Sequence, residues 1–271
     1  MIRKLSRFLH PSGAKDSARA KAPRLLVSVR SAREATVAWE GGASYIDIKE
    51  PLRGSLGSAS LATQSEIVTT LQSVGCTSSV IVTAALGELA ARPHPGDFSP
   101  LEGISLYKLG LSACGGDGGW RVKLDEWRQC MDPGARGSVR AAGLVAVAYA
   151  DHLLARSPDP REVLEYAIGR RLSYFLLDTF EKGSGSLPDF YSHADLQALV
   201  DLAHQHEVNI VLAGSLRVED FRPLFSLGPD VLAVRGAACK EGKRELGLDT
   251  VRVKELVQML QHPTPQRPRL S

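Results

Sequence analysis

An aspartate and a lysine two residues apart, Asp47 and Lys49, close the apolar run Ser44-Tyr45-Ile46-Asp47-Ile48-Lys49. The run is short and partly β-branched, which predicts a strand. Side chains alternate along a strand, so Asp47 and Lys49 share one face and Ile46 and Ile48 take the other. The isoleucines suit a packed layer. The charged pair then belongs to an enclosed face near the strand's C-terminal end. Burial lowers the pKa of an ammonium, and a neighbouring carboxylate raises it. A lysine whose amine is partly neutral attacks carbonyl carbons and forms a Schiff base. An ion pair at a strand end with no chemistry has the same spacing, because structural ion pairs also perturb pKa values.

The elements that must position this pair recur along the chain. Leu25–Val29 reads as a strand, followed by a helix with Ser31 and Glu34 as a capping box and Gly41-Gly42 as its stop. After the Asp47/Lys49 strand come the loop 50–57 and a helix over about 63–74. Further strands are predicted at 79–85, 104–110, 143–149, 173–178, 208–213 and 230–235. Helices are predicted at about 120–131, from Asp159-Pro160, and at about 192–206, 218–226 and 249–260. Eight strands, each followed by a helix or a helix-length segment, argue for a parallel sheet. Their number and total length fit a single (β/α)8 TIM barrel over residues 24–261. A doubly wound open sheet is the alternative. Against it, the first strand–helix turn, Ser28-Val29-Arg30-Ser31, lacks the glycine-rich dinucleotide fingerprint.

A barrel carries its active site at the C-terminal ends of its strands. Those ends hold Asp47, Lys49, Lys108, Asp151, Asp178 and, in the loop after strand six, Lys182. Three lysines and three carboxylates on one rim are hard to explain as packing, since branched apolar residues normally fill a barrel. Strands seven and eight end in Ala213-Gly214-Ser215 and Arg235-Gly236-Ala237-Ala238. Loops at these positions commonly hold phosphate, through open backbone amides. Gly214, Ser215, Arg235, Gly236 and Ala237 are therefore expected to bind the substrate phosphate, with Asp151 also in the substrate site. Two tight glycine turns are the plainer explanation of the same residues. Lysines beside a phosphate site suggest a class I aldolase-like enzyme on a small phosphorylated carbonyl compound.

Composition narrows the remaining classes. The chain has 271 residues, 44% of them hydrophobic, and a net charge of +3. Residues 1–24 hold seven basic residues and one acid, so the basic character belongs to a flexible extension over residues 1–23. The folded part gives no reason to expect nucleic acid. No apolar run reaches membrane-spanning length, and the N-terminus has no secretory apolar core. The four cysteines lack C-x-x-C spacing, which fits reduced thiols in a cytoplasmic protein. His204 and His206 are two apart on a predicted helix and do not share a face. No metal and no cofactor is expected. Residues 262–271 hold three prolines and are expected to be a disordered tail. The partners expected are a small phosphorylated substrate and, in assembly, further copies of the chain as a homo-oligomer.

Several spaced motifs, in order, resemble one family. They are Asp47-Ile48-Lys49 with Gly54-Ser55-Leu56-Gly57, Tyr107-Lys108-Leu109-Gly110, Ala148-Tyr149-Ala150-Asp151, Leu177-Asp178-Thr179 with Lys182, Ala213-Gly214-Ser215, and Val234-Arg235-Gly236-Ala237-Ala238-Cys239. Together they resemble the (5-formylfuran-3-yl)methyl phosphate synthases of methanofuran biosynthesis over about residues 25–260. The resemblance implies a lyase that joins two glyceraldehyde 3-phosphate molecules into a furan, with loss of one phosphate and two waters. It also implies Lys49 as the Schiff-base lysine, Lys108 as a proton acceptor, and Asp47, Asp178 and Lys182 as further catalytic residues. The basic extension, the Pro-rich tail and the glycine-rich loop 112–119 depart from the family pattern. Two other readings stay open on the residues alone. One is a Schiff-base aldolase on another sugar phosphate, and the other is a non-catalytic barrel that binds a phosphorylated metabolite.

Overall fold

The computed structural model describes residues 22–76, 80–92, 94–116, 118–131 and 142–262. The basic extension up to residue 21 and the tail from residue 263 lie outside the described residues. In order along the chain, β1 (Arg24–Val29) leads to α1 (Ala32–Glu40), and β2 (Tyr45–Ile48) to α2 (Leu61–Ser73). Then come β3 (Ile81–Glu88), β4 (Leu106–Gly110) with α3 (Gly119–Met131), and β5 (Gly143–Tyr149) with α4 (His152–Ala155) and α5 (Pro160–Gly169). Next are β6 (Tyr174–Asp178) with α6 (Leu187–Phe190) and α7 (His193–Gln205), and β7 (Asn209–Leu212) with α8 (Phe221–Ser226). The last unit is β8 (Val231–Val234) with α9 (Thr250–Gln261). All pairings are parallel and β8 returns to β1, Ala233 opposite Leu26, so the sheet is a closed barrel and not a doubly wound open one.

Alternation along the strands builds two cores. The outward residues, among them Ile46, Ile48, Leu109, Phe175 and Leu212, pack under the helices. The inward residues Leu26, Tyr45, Val145, Leu176, Val211 and Val231 fill the barrel itself. At the N-terminal end of the strands the Tyr45 and Tyr174 hydroxyls meet at 3.0 Å, and Arg24 stacks on the Tyr45 ring. That end is plugged. The C-terminal end is where inward positions turn polar.

The helix-length segment between β3 and β4 holds no α-helix among the described residues. Between β3 and β4 the described residues form only a short 3-10 turn, Leu89–Ala91. Pro95 and Pro100 cannot donate the backbone hydrogen bonds of a helix interior. Phe98 fills the place instead, with its ring about 5 Å from those of Tyr107 and Trp127. The α1 start also differs from a full capping box. Ser31 Oγ accepts from the Glu34 amide, but the Glu34 carboxylate accepts from the Arg30 amide and reaches on to Arg235.

Candidate active site

The inward positions at the ends of β1, β2 and β3 are Ser28, Asp47 and Thr83, side by side in the register. Ser28 Oγ donates to Asp47 Oδ2 at 3.2 Å, and Thr83 Oγ1 donates to Oδ1 at 2.7 Å. The third partner of the carboxylate is the Lys108 ammonium. Lys108 lies opposite Ala85 of β3, one inward position beyond the Asp47–Thr83 level. The small Ala85 side chain leaves it room to turn back over β3 to Asp47. Both charged groups are buried. Burial alone would raise the Asp47 carboxyl, but the ammonium groups of Lys108 and Lys49 outweigh it and hold the carboxyl below its ordinary value. Burial pushes the Lys108 amine down, and Asp47 only partly offsets this.

A second ion pair forms at the end of β6. Lys182 Nζ donates to Asp178 Oδ1 at 2.6 Å and also to the Thr179 carbonyl. Burial lowers the Lys182 amine against the pull of Asp178, and Lys49 and Arg244 add to the lowering. Burial would raise the Asp178 carboxyl, yet Lys182 and Lys49 hold it below its ordinary value. The loop after β2 crosses the barrel to this pair. Ser55 Oγ donates to Asp178 Oδ2 at 3.2 Å and to the Thr179 carbonyl at 2.9 Å. Gly57 permits the loop to close, since a Cβ there would sit 2.2 Å from the Glu50 carbonyl oxygen.

Lys49 lies between the two pairs and belongs to neither. Its ammonium donates to the Ser55 carbonyl at 3.3 Å, and among the described residues no carboxylate stands within ion-pair distance of it. Asp47, its neighbour on the same strand face, is not its ion-pair partner. Asp47 is engaged across the barrel by Lys108.

Ser28, Lys49 and the charged groups of both pairs border one cavity of about 520 Å³ at the C-terminal end of the barrel. Asp47, Lys49, Lys108, Asp178 and Lys182 form its floor, and Gly214, Ser215, Arg235, Gly236 and Ala237 border its β7–β8 side. Gly214 adopts φ +101°, and a Cβ there would meet Thr179 Cγ2 at 2.8 Å. The Ser215 amide has no acceptor among the described residues. Gly236 and Ala237 open the 3-10 turn 236–238, whose first amides have no intrahelical acceptor. This wall can therefore offer N–H groups to an anion. Arg235 itself is committed elsewhere, donating from Nη1 to Glu34 Oε2 at 2.9 Å and to the Ser28 carbonyl at 3.0 Å. Only its buried Nε lacks a partner.

Asp151 departs from expectation. It does not border the cavity, because its two oxygens accept from the Phe180 and Glu181 amides at 2.7 and 2.8 Å. It shapes the loop that carries Lys182. Glu88 plays a comparable part at the rim. It accepts from the Tyr149 hydroxyl at 2.6 Å and from the Ser112 amide at 3.0 Å, tying β3 to β5 over Gly110. Sequence reading missed Ser28, Ser55 and Thr83 as groups of the site. For Ser28 and Thr83 the signal was present, as polar residues at inward positions of apolar strands. Among the described residues no cluster of His, Cys, Asp and Glu is arranged to hold a metal ion, and no helix is long and apolar enough to cross a membrane. His204 pairs with Asp230, and among the described residues no cysteine forms a disulfide.

Fold and cavity together define a (β/α)8 barrel with a buried lysine–carboxylate floor at the end of the strands that carries catalysis in such barrels. Among solved structures, thiamine phosphate pyrophosphorylase from Pyrococcus furiosus shares the architecture, with a TM-score of 0.52 and 15% identity over 89% of this chain and 98% of that one. KGPDC from Streptococcus mutans gives a TM-score of 0.54 and 13% identity over the same shares. At such identities the likeness is one of fold. The sequence goes further: residues 25–257 match the family described as 4-HFC-P synthase, and the chain belongs to that family. It is 35% identical over 233 residues to the (5-formylfuran-3-yl)methyl phosphate synthase of Methanopyrus kandleri, covering 83% of this chain and 93% of that protein. The protein of the same name from Methanocaldococcus jannaschii is 33% identical over 247 residues, covering 87% and 98%.

Proposed function

We propose that the chain is a lyase that condenses two molecules of glyceraldehyde 3-phosphate into (5-formylfuran-3-yl)methyl phosphate, through an imine on Lys49, in methanofuran-type cofactor biosynthesis. The atoms balance when one phosphate and two waters leave. The observation that carries this reading is the partnering of the three lysines. Lys108 and Lys182 are each bound to a carboxylate, and Lys49 between them is not. An amine attacks an aldehyde only through its neutral form, and a direct carboxylate partner opposes loss of the proton.

The roles follow from position. Lys49 adds to the aldehyde carbon of the first triose and expels water, leaving an iminium that acidifies the adjacent carbon. Lys108, whose amine burial pulls down, first gives up its proton and then, as the neutral amine beside Asp47, takes one from carbon. Lys182 with Asp178 supplies protons on the opposite side, where elimination of phosphate and of water each need one. The amides after β7 and β8 hold a phosphate clear of the reacting carbons. Several acids and bases around one imine suit an aldol addition followed by two kinds of elimination better than a single base would.

The test is borohydride reduction in the presence of glyceraldehyde 3-phosphate, followed by peptide mapping and mass spectrometry of the product. An adduct on Lys49 and a furan phosphate product are expected. Lys49→Arg should abolish trapping, since a guanidinium stays protonated. Lys108→Arg should still trap and not turn over. An adduct on Lys108 would reverse the roles, and trapping without a furan product would favour an aldolase on another sugar phosphate.

A further inference from the structure

The cavity has a second cationic region, at its mouth. After β8 the chain folds back on itself through residues 239–248, with Cys239 and Leu248 bridged antiparallel, and this loop carries Arg244. Arg252 stands on the first turn of α9. Both are half-buried and both border the cavity. Among the described residues neither guanidinium has a hydrogen-bond or ion-pair partner.

The other cations of the mouth are answered. Arg217 meets Asp189 at 3.3 Å and Glu219 at 3.8 Å, Lys243 meets Glu241 at 2.7 Å, and Arg235 is held by Glu34. The acids that border the mouth, Glu219 and Glu245, are exposed to water. A half-buried guanidinium with no acceptor among the described residues keeps its five N–H donors open to a ligand in the cavity. Two of them facing one cavity are explained if the acceptor is a ligand. The planar fork of a guanidinium matches the oxygens of a phosphate. Arg244 also lies close enough to Lys182 to push its amine down, so this region adjoins the reacting floor.

We propose that Arg244 and Arg252 form a second phosphoryl subsite, distinct from the amide wall after β7 and β8, so that the cavity holds two phosphorylated trioses at once. This rests on the reading that two such molecules are condensed. Each brings a nearly dianionic phosphate at neutral pH, and a single amide cradle takes one. Two triose phosphates together have the size of a drug-like ligand, for which sites run about 300–1,000 Å³. The cavity of about 520 Å³ falls within that range.

Calorimetric titration of the full chain with inorganic phosphate tests the proposal without relying on turnover. The wild type should bind two phosphates per chain. The double variant Arg244→Met/Arg252→Met should bind one, and adding Gly236→Val should remove that one as well. Arg244→Lys/Arg252→Lys, which keeps the charge and loses the fork, should keep two sites with one weakened about tenfold; it serves if the methionine variant does not fold. In steady state with glyceraldehyde 3-phosphate the methionine variant should raise KM at least tenfold, with borohydride still trapping Lys49 at saturation. A wild type that binds one phosphate, or a methionine variant that still binds two, overturns the subsite. Two phosphates falling to one, in a protein that makes no furan, would uphold the subsite and overturn the proposed reaction.

Discussion

Replacing Asp47 by asparagine isolates the ion pair on which the floor of the site rests. The change is nearly isosteric. Asparagine keeps one oxygen for the Ser28 or Thr83 hydroxyl and removes the charge facing Lys108. Lys108 then has two courses. Remaining charged, a buried ammonium left without its partner costs about 3–5 kcal/mol. Releasing the proton costs about 1.4 kcal/mol for each pH unit below the ordinary lysine value. From 10.5 that is roughly 5 kcal/mol at pH 7 and roughly 2 kcal/mol at pH 9. The lower of the two governs, so the expected loss is about 3–5 kcal/mol at pH 7, shrinking to about 2 kcal/mol at pH 9. The direction agrees with linkage. A lysine whose folded pKa is depressed is protonated more in the unfolded chain, so stability rises with pH between the folded and unfolded values. Urea unfolding followed by circular dichroism at the two pH values reads the effect. Asp47→Asn combined with Lys108→Met removes both charges, and should return to within about 2 kcal/mol of the wild type. Equal losses at pH 7 and pH 9, or a double variant as unstable as Asp47→Asn, would refute the pairing.

Two further outcomes follow from the same geometry. Asp151→Ala removes both acceptors of the Phe180 and Glu181 amides; each hydrogen bond to the carboxylate contributes at most about 1.5–3 kcal/mol, less where water reaches the freed amide, and kcat should fall more than KM rises because Lys182 is displaced while the amide wall is intact. Unchanged kcat would show that the loop keeps its shape without Asp151. The second concerns acid. Asp47 and Asp178 have depressed folded values, so the stability they contribute is present above the unfolded value near 3.8 and is lost as pH falls through their folded values. Unfolding free energy should be level between pH 5 and 7 and drop below about pH 4, and Asp178→Asn should flatten that drop. A variant with the wild-type acid slope would assign the drop to other carboxylates.

Much of the fold was legible because it is local. Alternation over four to seven residues placed Asp47 and Lys49 inward and Ile46 and Ile48 outward, and counting strand–helix units gave the barrel and its chemical end. The exception between β3 and β4 was also written locally, in Pro95 and Pro100, which stop a helix whatever the surroundings. What only the tertiary structure decided is who meets whom. Asp47 and Lys49 are two residues apart, yet the carboxylate is taken by Lys108, because strand register and the small side chain of Ala85 bring Lys108 over β3. Asp151 and Arg235 have the right types at the right strand ends, but loop amides and Glu34 claim their polar atoms. Arg244 and Arg252 carry no motif at all and reach the cavity through the return of the chain after β8. Period and composition act within one segment of backbone. Pairing between charged groups depends on distances across the closed sheet, which no single segment encodes.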